Sequence, residues 1–84
     1  MASVTVRYRG PLKEITGLDE EAMEANAVRD LIKQVGGKYG PQAQKLAKAM
    51  MIAVDGESIL LRKAFATKLQ GGETVQFLPI CGGG

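Results

Sequence analysis

The 84-residue sequence predicts an α+β fold in which a helical layer packs on one mixed β-sheet. Segments near both ends alternate apolar and polar residues with a period of two, which indicates half-buried strands. Between them, apolar residues recur at helical spacing, and an Asp-Gly hairpin signal follows. The predicted order is therefore strand, strand, helix, helix, hairpin, strand, with one main helix and a shorter second one.

The first 25 residues are predicted to form two strands. Residues 3–9 alternate polar side chains with the apolar residues Val4, Val6 and Tyr8, and Gly10-Pro11 is expected to end this strand. A weaker strand is predicted over residues 18–25, with the apolar anchors Leu18, Ala22 and Met23.

Two consecutive helices are predicted next. The first has Asn26 as its N-cap and apolar residues at i, i+3, i+4 and i+7, namely Val28, Leu31, Ile32 and Val35. Gly36-Gly37 is expected to stop it. The second begins at Gly40-Pro41 and repeats the spacing with Ala43, Leu46, Ala47 and Met50.

The last third of the chain predicts a hairpin and a final strand. Asp55-Gly56 suits both central positions of a tight turn that joins residues 51–54 to residues 57–59. In "ETVQFLPI", Val75 and Phe77 share one face of the final strand. Pro79 donates no hydrogen bond, so the chain is expected to leave the sheet there.

Composition narrows the function classes. The net charge of +2 is too small, and the basic residues too scattered, to indicate a nucleic-acid partner. Without histidine, the Ser-His-Asp and Cys-His catalytic arrangements are absent. Cys81 is the only cysteine, so no zinc site is expected, and a single free thiol fits a reducing cytoplasm. No apolar run approaches the ~20 residues that span a bilayer, so no membrane contact is expected.

The last residues, "CGGG", suggest a different kind of function. We predict a single domain over residues 1–80 and a flexible tail over residues 81–84. Three glycines reach about 10 Å and enter a cleft that side chains would block. The Gly84 carboxylate is sterically open to activation, so the tail suits a substrate delivered to another protein's active site.

Four stretches carry a resemblance: "LKEITG", "AVRDLI", "AVDG" and "TKLQGGETVQFLPICGGG". They resemble the ubiquitin-like sulfur carriers of the MoaD/ThiS family, most closely its molybdopterin synthase small subunits. "LKEITG" is similar to the family's Leu-Arg-Glu-x-x-Gly after the first strand, and "AVRDLI" to the start of its helix. "AVDG" resembles its Ala-Val-Asn hairpin. "TKLQGGETVQFLPICGGG" resembles its ending, Thr-Pro-Leu-x-Asp-Gly-Asp-Glu-Val-x-Phe-Phe-Pro-Pro-Val-x-Gly-Gly, but with Gly71, Ile80 and Cys81 in place of aspartate, proline and valine.

The resemblance implies a β-grasp (ubiquitin-like) fold whose last strand lies centrally, parallel to the first. It also implies a carrier that binds no cofactor of its own. An E1-like adenylating and sulfurtransferase enzyme would use ATP to activate the Gly84 carboxylate and then convert it to a thiocarboxylate. The large subunit of molybdopterin synthase would receive the tail, and the sulfur would pass to a precursor of the molybdenum cofactor.

On this interpretation the reacting group belongs to Gly84. The residues expected to contact a partner are those that lead up to it and one residue at the end of the first strand: Gly83, Gly82, Cys81, Ile80, Pro79, Leu78 and Arg9. For Cys81 two roles are open, a thiol that assists sulfur handling and a small apolar residue that only packs, and the second is favoured.

Two other functions stay open at this stage. One is a carrier for another sulfur pathway, such as thiamine synthesis, or a ubiquitin-like modifier joined to target lysines, because both share the fold and the tail. The other, of a different class, is a β-grasp binding module whose glycine tail is incidental.

Overall fold

The computed structural model describes residues 1–80, and its elements confirm the α+β class. In chain order they are β1 Ala2–Tyr8, α1 Gly10–Thr16, β2 Glu20–Ala25, α2 Val28–Tyr39, α3 Pro41–Ala49, β3 Met51–Val54, β4 Glu57–Ser58, two 3₁₀ helices at Ile59–Leu61 and Ala64–Ala66, and β5 Thr74–Leu78. The flexible tail predicted over 81–84 lies outside the described residues.

The five strands form one mixed sheet in the order β2-β1-β5-β3-β4. The last strand of the sequence lies at the centre, parallel to β1 and antiparallel to β3. The two remaining pairs, β1 with β2 and β3 with β4, are antiparallel. This is the β-grasp arrangement that the resemblance implied, and it is confirmed.

The period of two places one face of the sheet in the core. Val6, Tyr8, Val75 and Phe77 are fully buried, as their alternation predicts. The same cluster contains the apolar side of α2, namely Val28, Leu31, Ile32 and Val35, together with Ala43 and Ala47 of α3. The main helix therefore covers the sheet through the side chains that share its apolar stripe.

The prediction of the apolar anchors of the second strand is partly wrong. Met23 is buried, but Leu18 and Ala22 are exposed, and Ala25 is the second inward residue. The strand begins only at Glu20. In a strand that faces the core with Met23, period-two alternation turns Ala22 towards the outer face.

Gly10-Pro11 ends β1 but also begins a helix that the sequence did not predict. Pro11 lies in the first turn of α1, and Gly17 ends it in the left-handed conformation at φ 74°, donating its N–H to the Lys13 carbonyl at 2.8 Å. Only Leu12 is buried in these seven residues. One buried position makes no periodic pattern, and for that reason the helix was missed.

Both ends of the main helix differ from the prediction. The N-cap is Ala27 rather than Asn26. The Asp30 carboxylate accepts the backbone N–H of Asn26 at 3.2 Å and that of Ala27 at 3.0 Å. Gly36-Gly37 does not stop α2. A Cβ atom on Gly36 would lie 2.2 Å from Oε1 of Gln44, so this glycine permits close packing of α3.

The Asp-Gly hairpin is confirmed. Asp55 and Gly56 both have positive φ, 50° and 84°. The Asp55 carboxylate also accepts the backbone N–H of Thr74 at 2.9 Å, which ties the turn to the start of β5. The return strand is shorter than predicted, because Ile59 already begins a 3₁₀ helix.

Candidate functional site at the exit of the last strand

The chain leaves the sheet where β5 ends. Tyr8 pairs with Phe77 and Met51 pairs with Leu78, so both neighbouring strands reach this level of the sheet. Pro79 follows at once and lacks the N–H that would extend the ladder. The predicted exit at Pro79 is confirmed, and it lies in the middle of the sheet rather than at an edge.

Pro79 is held against the start of α1. A Cβ atom on Gly10 would lie 3.3 Å from Pro79 Cγ and 3.4 Å from Pro79 Cβ, and Gly10 has φ 58°. The proline ring therefore packs against bare backbone. Arg9 directly precedes Gly10 as the extended N-cap of α1, so the structure brings Arg9 to the part of the surface where the chain exits.

An apolar groove of about 240 Å³ adjoins the exit. We call it the exit groove; its partly or fully exposed apolar walls are Met50, Met51, Leu60, Phe65 and Ile80. Leu60 and Ile80 are 80% and 62% exposed. Apolar side chains gathered at one exposed place are typical of an interaction surface rather than of an isolated surface residue.

Beneath the exit, an aromatic and carboxylate cluster holds the end of β1 against β5. The Tyr8 ring stacks on Phe77 with centroids 6.2 Å apart, and Tyr39 meets Tyr8 edge to face. The Tyr8 and Tyr39 hydroxyls both donate to Oε2 of Glu21, at 2.5 and 2.6 Å, and Lys38 Nζ donates to Oε1 at 2.6 Å. Strands β1 and β2 and helix α2 thus meet at one carboxylate, and the Tyr8 ring connects them to Phe77 of β5.

The acidities of this cluster follow from burial and hydrogen bonding. Burial, followed by the Glu21 hydrogen bond, raises the pKa of Tyr8 far above its ordinary value and that of Tyr39 to about 12. Burial acts to raise the pKa of Glu21 as well. The hydrogen bonds from Lys38, Tyr39 and Tyr8 outweigh it, so this pKa lies below its ordinary value and the carboxylate is charged at neutral pH.

A comparison with protein families decides the assignment. The model described as the ThiS family matches residues 6–84. The chain belongs to the ThiS family. It is therefore a ubiquitin-like sulfur carrier or modifier, and the matched range includes both the exit at Pro79 and the glycine tail.

Solved structures show the same fold at low sequence identity. Small archaeal modifier protein 1 from Methanosarcina acetivorans is 23% identical with a TM-score of 0.87, covering 100% of this chain and 98% of its own. A chain of the BexX/CysO complex from Amycolatopsis orientalis is 22% identical with a TM-score of 0.81, and the match covers 96% of this chain and 99% of that one. A chain in the complex of subunits 1 and 2 of the molybdopterin-converting factor from Helicobacter pylori is 24% identical with a TM-score of 0.67. The match covers 96% of this chain and 99% of that one. A comparison with proteins of curated function finds no match.

The predicted site residues fall into two groups. Arg9, Leu78, Pro79 and Ile80 come together at the exit, with Leu78 half-buried and Ile80 exposed. Cys81, Gly82, Gly83 and Gly84 lie outside the described residues. Sequence reasoning missed the groove walls Leu60 and Phe65, because residues 60–72 carry no periodicity. The signal available was the cluster of large apolar residues in that otherwise polar segment.

Residues 1–80 contain neither a metal-binding cluster nor a membrane-spanning helix. In residues 1–80, no group of three or more histidine, cysteine, aspartate and glutamate side chains is placed to hold a metal ion. No helix in the same range is both long and apolar enough to cross a membrane. The polar groups that do cluster are those around Glu21, and they link secondary-structure elements.

Proposed function

We propose that this ThiS-family protein carries sulfur on the carboxyl group of Gly84. The observation that carries the proposal is the family match through residue 84, together with a chain that leaves the centre of the sheet at Pro79. A central exit lets a partner take the tail while it contacts the body of the carrier. Leu78, Pro79, Ile80 and Arg9 are the described residues that would form this contact.

The chemistry requires an activating partner. A carboxylate is a poor electrophile, so an E1-like enzyme would let a carboxylate oxygen of Gly84 attack the α-phosphorus of ATP, with loss of pyrophosphate. Sulfide, delivered from a sulfur donor by that enzyme, would then attack the carbonyl carbon and displace AMP, which leaves a thiocarboxylate on Gly84. ATP is the partner's co-substrate, and the carrier supplies only the reacting carboxyl group and the surface that positions it.

For the destination of the sulfur, we propose molybdopterin synthesis, in which the large subunit of molybdopterin synthase receives the tail and a pterin precursor accepts the sulfur. The fold shared with the molybdopterin-converting factor of Helicobacter pylori supports this, as do the sequence motifs around Pro79. The fold shared with small archaeal modifier protein 1 supports the second candidate, a modifier joined to target lysines or a carrier for another sulfur pathway. We place the carrier in the cytoplasm, a reducing compartment that suits the single Cys81.

The test is the intact mass of the purified protein after incubation with the adenylating enzyme, ATP and a sulfur donor. A thiocarboxylate replaces one oxygen by sulfur and adds about 16 Da, which fragmentation must localise to Gly84. Deleting Gly84 moves the carboxylate back by about 3.5 Å, and adding one alanine after it moves the carboxylate forward. We expect both variants to keep the fold and to lose loading.

The outcomes separate the candidates. Full loading of the Gly84-deleted protein would refute the role of Gly84, and failure of the wild-type protein to load would refute the carrier proposal and favour the binding module. Loading followed by an amide bond to a lysine of another protein would favour the modifier. Transfer of the sulfur to a pterin precursor by the large subunit would support molybdopterin synthesis.

A further inference from the structure

A second cavity adjoins the exit groove on the helical side of the molecule. It measures about 180 Å³ and lies between α2, the end of α3 and the second 3₁₀ helix. We call it the basic cavity; it is lined by Arg29, Ile32, Lys33, Gln44, Lys48 and Phe65. Lys48 and Phe65 also line the exit groove, so the two depressions share a wall and form one continuous surface that begins at Ile80.

The charges on this surface have one sign. Arg29, Lys33 and Lys48 line the basic cavity, and no carboxylate lines either depression in the described part of the chain. None of the three cations makes an ion pair within residues 1–80. The four ion pairs of that range instead use other cations: Arg7, Lys13, Lys38 and Arg62. The positive charge around Phe65 is therefore not neutralised by the fold.

The ring at the centre of this surface is held by a fixed turn. Phe65 is 40% exposed, and its neighbour Ala64 has φ 50°, a conformation that residues other than glycine rarely adopt. The buried Thr67 secures the turn, because its hydroxyl accepts the N–H of Lys63 at 3.1 Å and its carbonyl accepts the N–H of Val28 at 3.0 Å. An exposed aromatic ring on a hydrogen-bonded turn, beside cations without an ion-pair partner in residues 1–80, is the usual composition of a binding anchor with a charged rim.

We propose that the exit groove and the basic cavity together dock an acidic segment of the enzyme that activates the tail. An apolar side chain of that segment enters the exit groove beside Phe65, and its carboxylates meet Arg29, Lys33 and Lys48. Charge complementarity selects the acidic partner, and continuity with Ile80 places the segment next to the point where the tail departs. The inference rests on the proposed function and names a contact that lies on the helical side of the carrier.

The chain offers a matched control for each half of the surface. Lys48 and Lys45 lie on the same helix, but Lys45 lines neither depression, so Lys48→Glu and Lys45→Glu change the net charge equally. Phe65 and Leu61 are both exposed apolar residues of 3₁₀ helices, and Leu61 lines neither depression, so Phe65→Ser is compared with Leu61→Ser. Each variant keeps the whole chain, and its thermal unfolding is checked before use.

The readout is the rate of ATP-dependent loading as a function of carrier concentration and salt. We expect Phe65→Ser and Lys48→Glu to raise KM about tenfold with kcat unchanged, because docking is weakened while the tail chemistry is untouched. Lys48→Glu also reduces the salt dependence of KM. Lys45→Glu and Leu61→Ser stay within about twofold of wild type.

Several results would overturn the inference. Equal effects within each matched pair would mean that only net charge or general stability matters. Chemical shift changes at Phe65 and Lys48 on addition of inorganic phosphate alone would assign the basic cavity to a small anion. A wild-type dimer that Phe65→Ser dissociates would assign the surface to a second copy of the chain. If the wild-type chain is never loaded, the proposed function fails; if it is loaded while all four variants behave alike, only the docking surface fails.

Discussion

Replacing Glu21 by alanine removes the acceptor that links the end of β1 to α2. In the wild-type protein its carboxylate accepts hydrogen bonds from Tyr8, Tyr39 and Lys38, and the Tyr8 ring stacks on Phe77 of the central strand. The truncation leaves these donors in place without their partner. It therefore tests whether the cluster beneath the exit stabilises the fold.

The three donors contribute differently to the expected loss of unfolding free energy. Tyr8 is fully buried, so the loss of the acceptor that its hydroxyl has within residues 1–80 costs about 1–3 kcal/mol. The Lys38 side chain is half exposed, so its ion pair contributes at most about 1 kcal/mol. Tyr39 is partly exposed and finds water instead. The free energy of unfolding should fall by about 2–3 kcal/mol, which in a domain of this size lowers Tm by roughly 10–20 °C.

The assay is urea and thermal unfolding at neutral pH, with Glu24→Ala as the control. Glu24 lies on the same strand, is exposed and makes no ion pair within residues 1–80, so its truncation should change the free energy of unfolding by less than about 0.5 kcal/mol. The double variant Tyr8→Phe/Glu21→Ala should cost less than the two single changes added together, because they remove the same hydrogen bond.

The pH dependence gives a second check. The pKa of Glu21 is lowered in the folded protein from its ordinary 4.5, so the charged carboxylate contributes stability at pH values above 4.5. That contribution is lost as the pH falls through the folded-state pKa. The difference in free energy of unfolding between wild type and Glu21→Ala should therefore become smaller under acidic conditions. A Glu21→Ala protein as stable as Glu24→Ala at neutral pH would refute the reasoning.

Three further predictions concern single residues. Gly10→Ala should lower the free energy of unfolding by about 1–2 kcal/mol and slow loading, because a Cβ at φ 58° strains the backbone and presses on Pro79. An unchanged urea midpoint and an unchanged loading rate would contradict the packing at the exit. Gly37→Ala should instead raise the free energy of unfolding by about 0.5–1 kcal/mol, because this helical glycine has nothing within 4 Å of the added Cβ atom. Destabilisation in the same assay would indicate that Gly37 is needed as a helix stop. Cys81→Ala should keep loading within about twofold of wild type by intact mass, whereas lost loading in a folded protein would assign the thiol a chemical role.

Much of the fold was predictable because its patterns are local. Alternation at Val4, Val6 and Tyr8, the helical spacing from Val28 to Val35, and the Asp55-Gly56 turn each depend on a few consecutive residues. The errors occurred where no such pattern exists. Helix α1 buries only Leu12, and the short β2 contains too few apolar residues to identify its inward face.

The sequence by itself determined the class of fold, the last strand that ends just before Pro79 and the family to which the chain belongs. Tertiary structure alone decided how distant segments meet. It placed the Gln44 side chain against Gly36 and the Pro79 ring against Gly10. It also assembled Ile80, Phe65 and Lys48 into one surface. The physical reason is that periodicity records which side of an element is apolar, whereas contacts between elements far apart in sequence are set by three-dimensional packing.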